Sequence, residues 1–77
     1  MRNDANLIGR NVAALRKRLG LTQDMLVARV EVLGYFGITR SVLVNIERQR
    51  YAAKDKHVYF LAKALRVPIA DLFANVG

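Results

Sequence analysis

The sequence predicts an all-α chain, a compact bundle of five short helices. Three observations carry that prediction. Apolar residues recur at three- and four-residue spacing in each long segment, and no segment shows the two-residue alternation of a half-buried strand. Good helix caps stand ahead of the periodic segments: Asp4, Thr22, Thr39 and Asp55. Glycine or proline interrupts the pattern at Gly20, Gly34, Gly37 and Pro68. A length of 77 residues with 53% hydrophobic content suits a single domain, 1–77, with a core of modest stability.

The first helix is expected from about residue 5 or 6 to residue 19, capped by Asp4, with Ile8, Val12, Leu15 and Leu19 as its buried stripe. The basic triplet Arg16-Lys17-Arg18 precedes Gly20, which permits the left-handed residue that ends many helices. The triplet suits the negative end of the helix dipole and equally suits phosphate contact. Thr22 caps the second helix and Asp24 favours its positive end, while Met25 occupies the place where a capping box needs Glu or Gln, so no box is expected. Leu26, Val30 and Leu33 form that helix's inner stripe. Two glycines bracket Tyr35 and Phe36, which read as hydrophobic anchors of a tight turn rather than as a stacking pair for bases.

The third helix starts after Thr39, with Leu43 and Ile46 on one face and Val42 beside them. Arg40, Ser41 and Asn45 occupy the other side. A short helix with an apolar back and Arg and Asn at its front suits a DNA major groove, where Arg reads guanine and Asn reads adenine. Residues 49–54 read as a basic loop. The fourth helix runs from Asp55, as its cap, to about Leu65 or Arg66, with Val58, Leu61, Ala62 and Leu65 inside. His57 reads as a first-turn surface residue, and Pro68 stops the helix. A last short helix over about 69–75 carries Leu72 and Phe73.

Composition narrows the function. Thirteen Lys and Arg stand against six Asp and Glu, for a net charge of +7 that favours polyanionic partners. Arg10, Arg16, Lys17 and Arg18 cluster early, and Arg48, Arg50, Lys54 and Lys56 cluster late, on either side of the candidate binding helices. Cysteine is absent and histidine single, so neither a disulfide framework nor a metal-ligand set is expected. No acid, base and nucleophile converge and no Gly-rich phosphate loop occurs, so neither an enzyme nor a cofactor is expected. No apolar run has the length of a membrane span, and the first six residues lack a signal peptide's apolar run; a cytoplasmic protein is the expectation.

Leu21-Thr22-Gln23-Asp24-Met25-Leu26, followed by Ile38-Thr39-Arg40-Ser41-Val42-Leu43-Val44-Asn45-Ile46-Glu47, resembles the helix-turn-helix of the Cro/repressor-like (XRE) family of bacterial and phage regulators. Ile8-Gly9-Arg10 with Leu15-Arg16, and the stretch from Ala62 through Phe73, extend the resemblance from about Leu7 to Phe73. It implies a five-helix lambda-repressor-like domain, with the helix-turn-helix over about 22–49, binding an operator in double-stranded DNA as a homodimer. It assigns base reading to Arg40, Ser41, Val44 and Asn45, with Val44 placed for a thymine methyl. It assigns phosphate contact to Gln23, Arg48 and Arg50, and a structural ion pair to Arg16 and Glu47; Thr39 and Lys54 are further candidates for phosphate contact.

Two departures stand out. Thr22 and Thr39 are 17 residues apart (39 − 22), which resembles a subset of the family with an extended first motif helix. Gln49 stands where many relatives have glycine after the recognition helix, so a different loop path is expected there. The leading reading is a sequence-specific DNA-binding regulator, a repressor of bacterial or phage origin working at the nucleoid. The alternative is a protein-interaction module, such as the antitoxin of a toxin–antitoxin pair, held to a small protein partner. Leu72, Phe73 and Val76 are candidate dimer-interface residues, and closing the monomer core is the alternative role for Leu72 and Phe73.

Overall fold

The computed structural model describes residues 4–74, and these hold five helices and no strand: α1 (Asp4–Arg18), α2 (Gln23–Val32), α3 (Arg40–Glu47), α4 (Asp55–Leu65) and α5 (Ile69–Leu72). The expected all-α architecture is the one observed. Asp4 is already helical rather than a cap, and α5 is only four residues long. Val76, offered above for a dimer interface, lies outside the described residues.

Each long helix lends one face to a common core. Ile8 and Val12 come from α1, Leu26 and Val30 from α2, Leu43 and Ile46 from α3, Leu61 and Leu65 from α4 and Leu72 from α5. Removal of these side chains from water is the main favourable contribution to folding, roughly 1.5–3 kcal/mol for each large aliphatic residue. α1 packs on α3, α4 and α5, while α2 packs on α3 and α4. Gly9 allows the first of these contacts, because its backbone meets the Ile46 carbonyl.

Four helices end the same way. After α1, the Gly20 N–H bonds Lys17 O and the Leu21 N–H bonds Arg16 O; α2 repeats this pair of bonds at Gly34 and Tyr35. At α3 the donors are Gln49 and Arg50, and at α4 they are Arg66 and Val67. This is the Schellman arrangement, which requires a left-handed residue. Gly20 and Gly34 supply it at φ 73° and 93°, and Gln49 and Arg66 adopt it at φ 63° and 60°. Gln49 therefore follows the glycine-like path rather than the different one expected. Helix α4 likewise closes at Arg66, before Pro68; Pro68 instead precedes α5, its carbonyl accepting the Asp71 N–H at 2.9 Å.

The structure corrects several sequence expectations about burial. Leu19 and Leu33 follow the ends of their helices and are half-exposed, so neither completes a stripe. On α1 the buried face instead includes Asn11 and Arg16. Asn11 Nδ2 donates to Leu72 O at 2.7 Å and Ala74 O at 2.8 Å, tying α1 to the end of α5. Tyr35 is an anchor, stacked on Phe60 with ring centroids 4.4 Å apart, but Phe36 is 70% exposed and anchors nothing. At α2, Met25 Sδ lies 3.5 Å from the Thr22 N–H, so a weak sulfur acceptor closes the box that Glu or Gln would close more firmly.

His57 is buried, not a surface residue, and its Nδ1 accepts the Lys54 N–H at 3.1 Å. Lys54 occupies the cap position of α4 in place of Asp55, so the histidine satisfies the amide that precedes the helix. Burial first, and the Lys54 charge second, hold the His57 pKa below its usual value.

Candidate nucleic-acid interface

The third helix is the centre of the site. Thr39 caps it, its Oγ1 accepting the Val42 N–H at 3.2 Å. Leu43 and Ile46 are fully buried, which fixes the helix against the core and turns its opposite face outward. Arg40 and Ser41 are exposed on that face in the first turn, while Val44 and Asn45 are half-buried further along. Arg40 and Ser41 therefore reach solvent most freely, and Asn45 sits closer to the bundle.

The first turn of α2 lies against α3. Gln23 Nε2 donates to Glu47 Oε1 at 3.1 Å, near the end of α3, and Asp24 Oδ1 lies 3.7 Å from Arg40 Nε, near its start. The Asp24–Arg40 pair is exposed on both sides, so it contributes little and leaves Arg40 able to swing to another anion. One amide N–H of Gln23 goes to Glu47, and the amide has a second N–H to donate.

Behind this surface is a buried fork. Arg16 Nε donates to Glu47 Oε2 at 2.7 Å, and its Nη2 donates to Oε1 at 3.0 Å. Arg16 Nη1 also donates to Leu21 O at 2.8 Å. The two side chains are only 10% and 7% exposed, so Arg16 locks α1 to α3 instead of facing a ligand. Glu47 accepts from Arg16 and Gln23 together, so one carboxylate joins α1, α2 and α3.

Beyond α3 the chain carries three more of the candidate cations. Arg48, Arg50 and Lys54 are exposed, while Ala53 is buried and Tyr51 half-buried between them. The Tyr51 ring packs 5.6 Å from the His57 ring, which holds the segment onto α4 and leaves the basic side chains outside. The structure thus gathers Thr39, Arg40 and Ser41 around the start of α3, with Gln23 and Arg48 toward its far end. Arg50 and Lys54 follow on the connection. Asp24 is the neighbour that the sequence reading did not place beside Arg40; sixteen residues separate them, beyond any helical periodicity.

A family profile described as helix-turn-helix matches residues 12–72, most of the chain and all of α2 and α3. The protein belongs to the XRE-type helix-turn-helix family of Cro/C1 regulators. In this family α2 and α3 are the motif's two helices, and the chain is a DNA-binding helix-turn-helix regulator. No curated protein and no solved structure is a significant match. The 17 residues that follow Thr22 up to and including Thr39 comprise the ten-residue α2 and the connection at 33–39. No helix among the described residues is long and apolar enough to cross a membrane, and no cluster of metal-ligating side chains occurs among them.

Proposed function

We propose that this XRE-type protein is a sequence-specific repressor that reads an operator in duplex DNA with α3 in the major groove. The observation that carries the proposal is the two-sided character of α3: Leu43 and Ile46 are fully buried, and Arg40 and Ser41 project from the opposite face. Arg40, Ser41, Val44 and Asn45 meet base edges, Arg40 suited to guanine and Asn45 to adenine. Gln23, Thr39, Arg48, Arg50 and Lys54 hold phosphates and set the register. The pair Arg16 and Glu47 keeps α3 in place without touching DNA.

In this reading the whole of 1–77 acts as one DNA-binding domain, and two copies bind as a homodimer, because a single α3 spans only a few base pairs. Repression needs nothing beyond occupancy of the operator, and the reading places the protein at the nucleoid in the cytoplasm of a bacterial cell, including one carrying phage. The half-exposed Phe73 supports a dimer contact near α5, whereas Leu72 is fully buried and supports the monomer core.

Selection from random duplex DNA at about physiological salt tests the proposal. An enriched inverted repeat, with half-sites about one helical turn apart, is the expected result. Retention of DNA without enrichment of any sequence would reduce the binding to charge alone and overturn the sequence-specific reading.

A further inference from the structure

The end of α2 far from Gln23 carries apolar side chains that no element among the described residues covers. Val32 is 87% exposed and Leu33 is 40% exposed. With Ala64 of α4 they line a groove edged by Arg29, Lys63 and Arg66. Arg29 and Arg66 also border a second groove, where Leu19 and Val67 supply apolar surface and Arg18 stands at the edge. Because the two grooves share Arg29 and Arg66, they form one trough across the C-terminal ends of α1, α2 and α4.

The charge around this trough is one-sided. Arg29 Nη1 donates to Ala64 O at 3.1 Å, which holds the guanidinium at the edge without neutralising it. Lys63 Nζ lies 5.5 Å from the centre of the Tyr59 ring. Asp71 is the one carboxylate lining the trough, and the two ion pairs among the described residues involve none of Arg18, Arg29, Lys63 and Arg66. A second copy seated two-fold on this face would set the four cations against themselves, and like charges facing across an interface are costly. An amphipathic segment with Asp or Glu beside its apolar residues satisfies both features: apolar groups fill the floor and carboxylates meet the rim.

We infer that the trough is a docking site for an acidic amphipathic segment of a protein partner. Val32 lies nine residues along α2 from Gln23 (32 − 23), roughly 14 Å away, so the partner and DNA are held at the same time. The inference does not depend on which bases α3 reads.

A display library of short random peptides, selected on the full chain at physiological salt and counter-selected on the variant V32S/K63E, tests it. Both positions are exposed, so the variant keeps its helical circular dichroism and its retention of duplex DNA. Enriched peptides are expected to combine Asp or Glu with Leu, Ile or Phe, to lose about tenfold or more in affinity for the variant, and to stay bound when DNA is added. Scrambled peptides of the same composition are expected to bind far more weakly. Enrichment of basic or uncharged peptides, no enrichment dependent on Val32 and Lys63, or displacement by DNA would each overturn the inference. So would self-association of the chain that V32S/K63E abolishes, which would assign the face to a second copy.

Discussion

Gly9 in α1 lies against the carbonyl of Ile46 in α3, so closely that a methyl group at position 9 would overlap that oxygen. The obstacle is backbone, and it belongs to the last turn of α3, so neither helix relieves the overlap by a side-chain rotation. Alanine ordinarily stabilises a helix relative to glycine. Here Gly9→Ala is expected to destabilise the protein by about 1–3 kcal/mol, the scale of an overpacked core. Urea denaturation followed by circular dichroism measures this, and an unchanged or higher midpoint would remove Gly9 from the contact.

The Arg16–Glu47 pair sits next to that contact and gives a second prediction. Glu47→Ala leaves the buried guanidinium with only the Leu21 carbonyl, and Arg16→Ala leaves the carboxylate with only the Gln23 amide. Each is expected to cost roughly 3–5 kcal/mol, with R16A/E47A losing much less than the sum of the two. A double-mutant cycle in denaturant reads the coupling directly; additive losses would mean that the two residues act independently.

Gln49 holds a left-handed backbone in a position that glycine adopts without steric cost. Gln49→Gly is therefore expected to raise stability by about 1 kcal/mol despite the greater freedom of glycine in the unfolded chain. A thermal melt checks it, and a lowered midpoint would show that the glutamine side chain contributes a contact larger than the backbone strain.

His57 makes stability depend on pH. Its folded pKa lies below the usual histidine value, so between the two the unfolded chain binds more protons than the folded one. The contribution of the neutral ring is fully present above about pH 6.5 and is lost as the pH falls through that value toward the lowered one. Protonation also removes the Nδ1 acceptor for the Lys54 N–H at the start of α4. Urea midpoints measured from about pH 8 down to about pH 5 are expected to decline, and His57→Gln is expected to flatten this step. A decline of equal size in the variant would assign it to the carboxylates.

DNA binding separates the proposed readers from the proposed phosphate contacts. Arg40→Ala and Asn45→Ala are each expected to reduce binding to the selected operator by about 1–3 kcal/mol while leaving binding to unrelated duplex nearly unchanged. Arg50→Ala is expected to weaken both and to lower the salt slope by about one. Fluorescence anisotropy over a salt series distinguishes them. Equal losses on both DNAs for Arg40→Ala would place that residue on the backbone, and an unchanged slope for Arg50→Ala would free it from phosphate.

Much of the fold is legible in local chemistry. Thr39 announces the start of α3, Leu43 and Ile46 announce its buried face, and Val58, Leu61, Ala62 and Leu65 announce that of α4. Caps and periodic stripes act within a few residues of chain, the range over which a sequence reads directly. Leu21-Thr22-Gln23 and Ile46-Glu47, which resemble the family's helix-turn-helix, are likewise local strings of sequence, and they lie within the matched residues 12–72.

The remaining features are settled by distant partners. Asn11 is buried because its amide meets carbonyls at positions 72 and 74, and Gln23 turns toward Glu47, 24 residues away. His57 is interior because Tyr35 and Tyr51 pack around it, although its position in a first turn suggests surface. Leu19, Leu33 and Phe36 are as apolar as the core residues, yet they fall where no other helix arrives. By itself the sequence determined five helices, the Thr caps of α2 and α3 and the basic loop after α3, since those depend on backbone hydrogen bonds and spacing within one turn. Only the tertiary structure decided which polar groups are interior and which apolar ones remain open, because burial depends on the faces that meet when the helices pack.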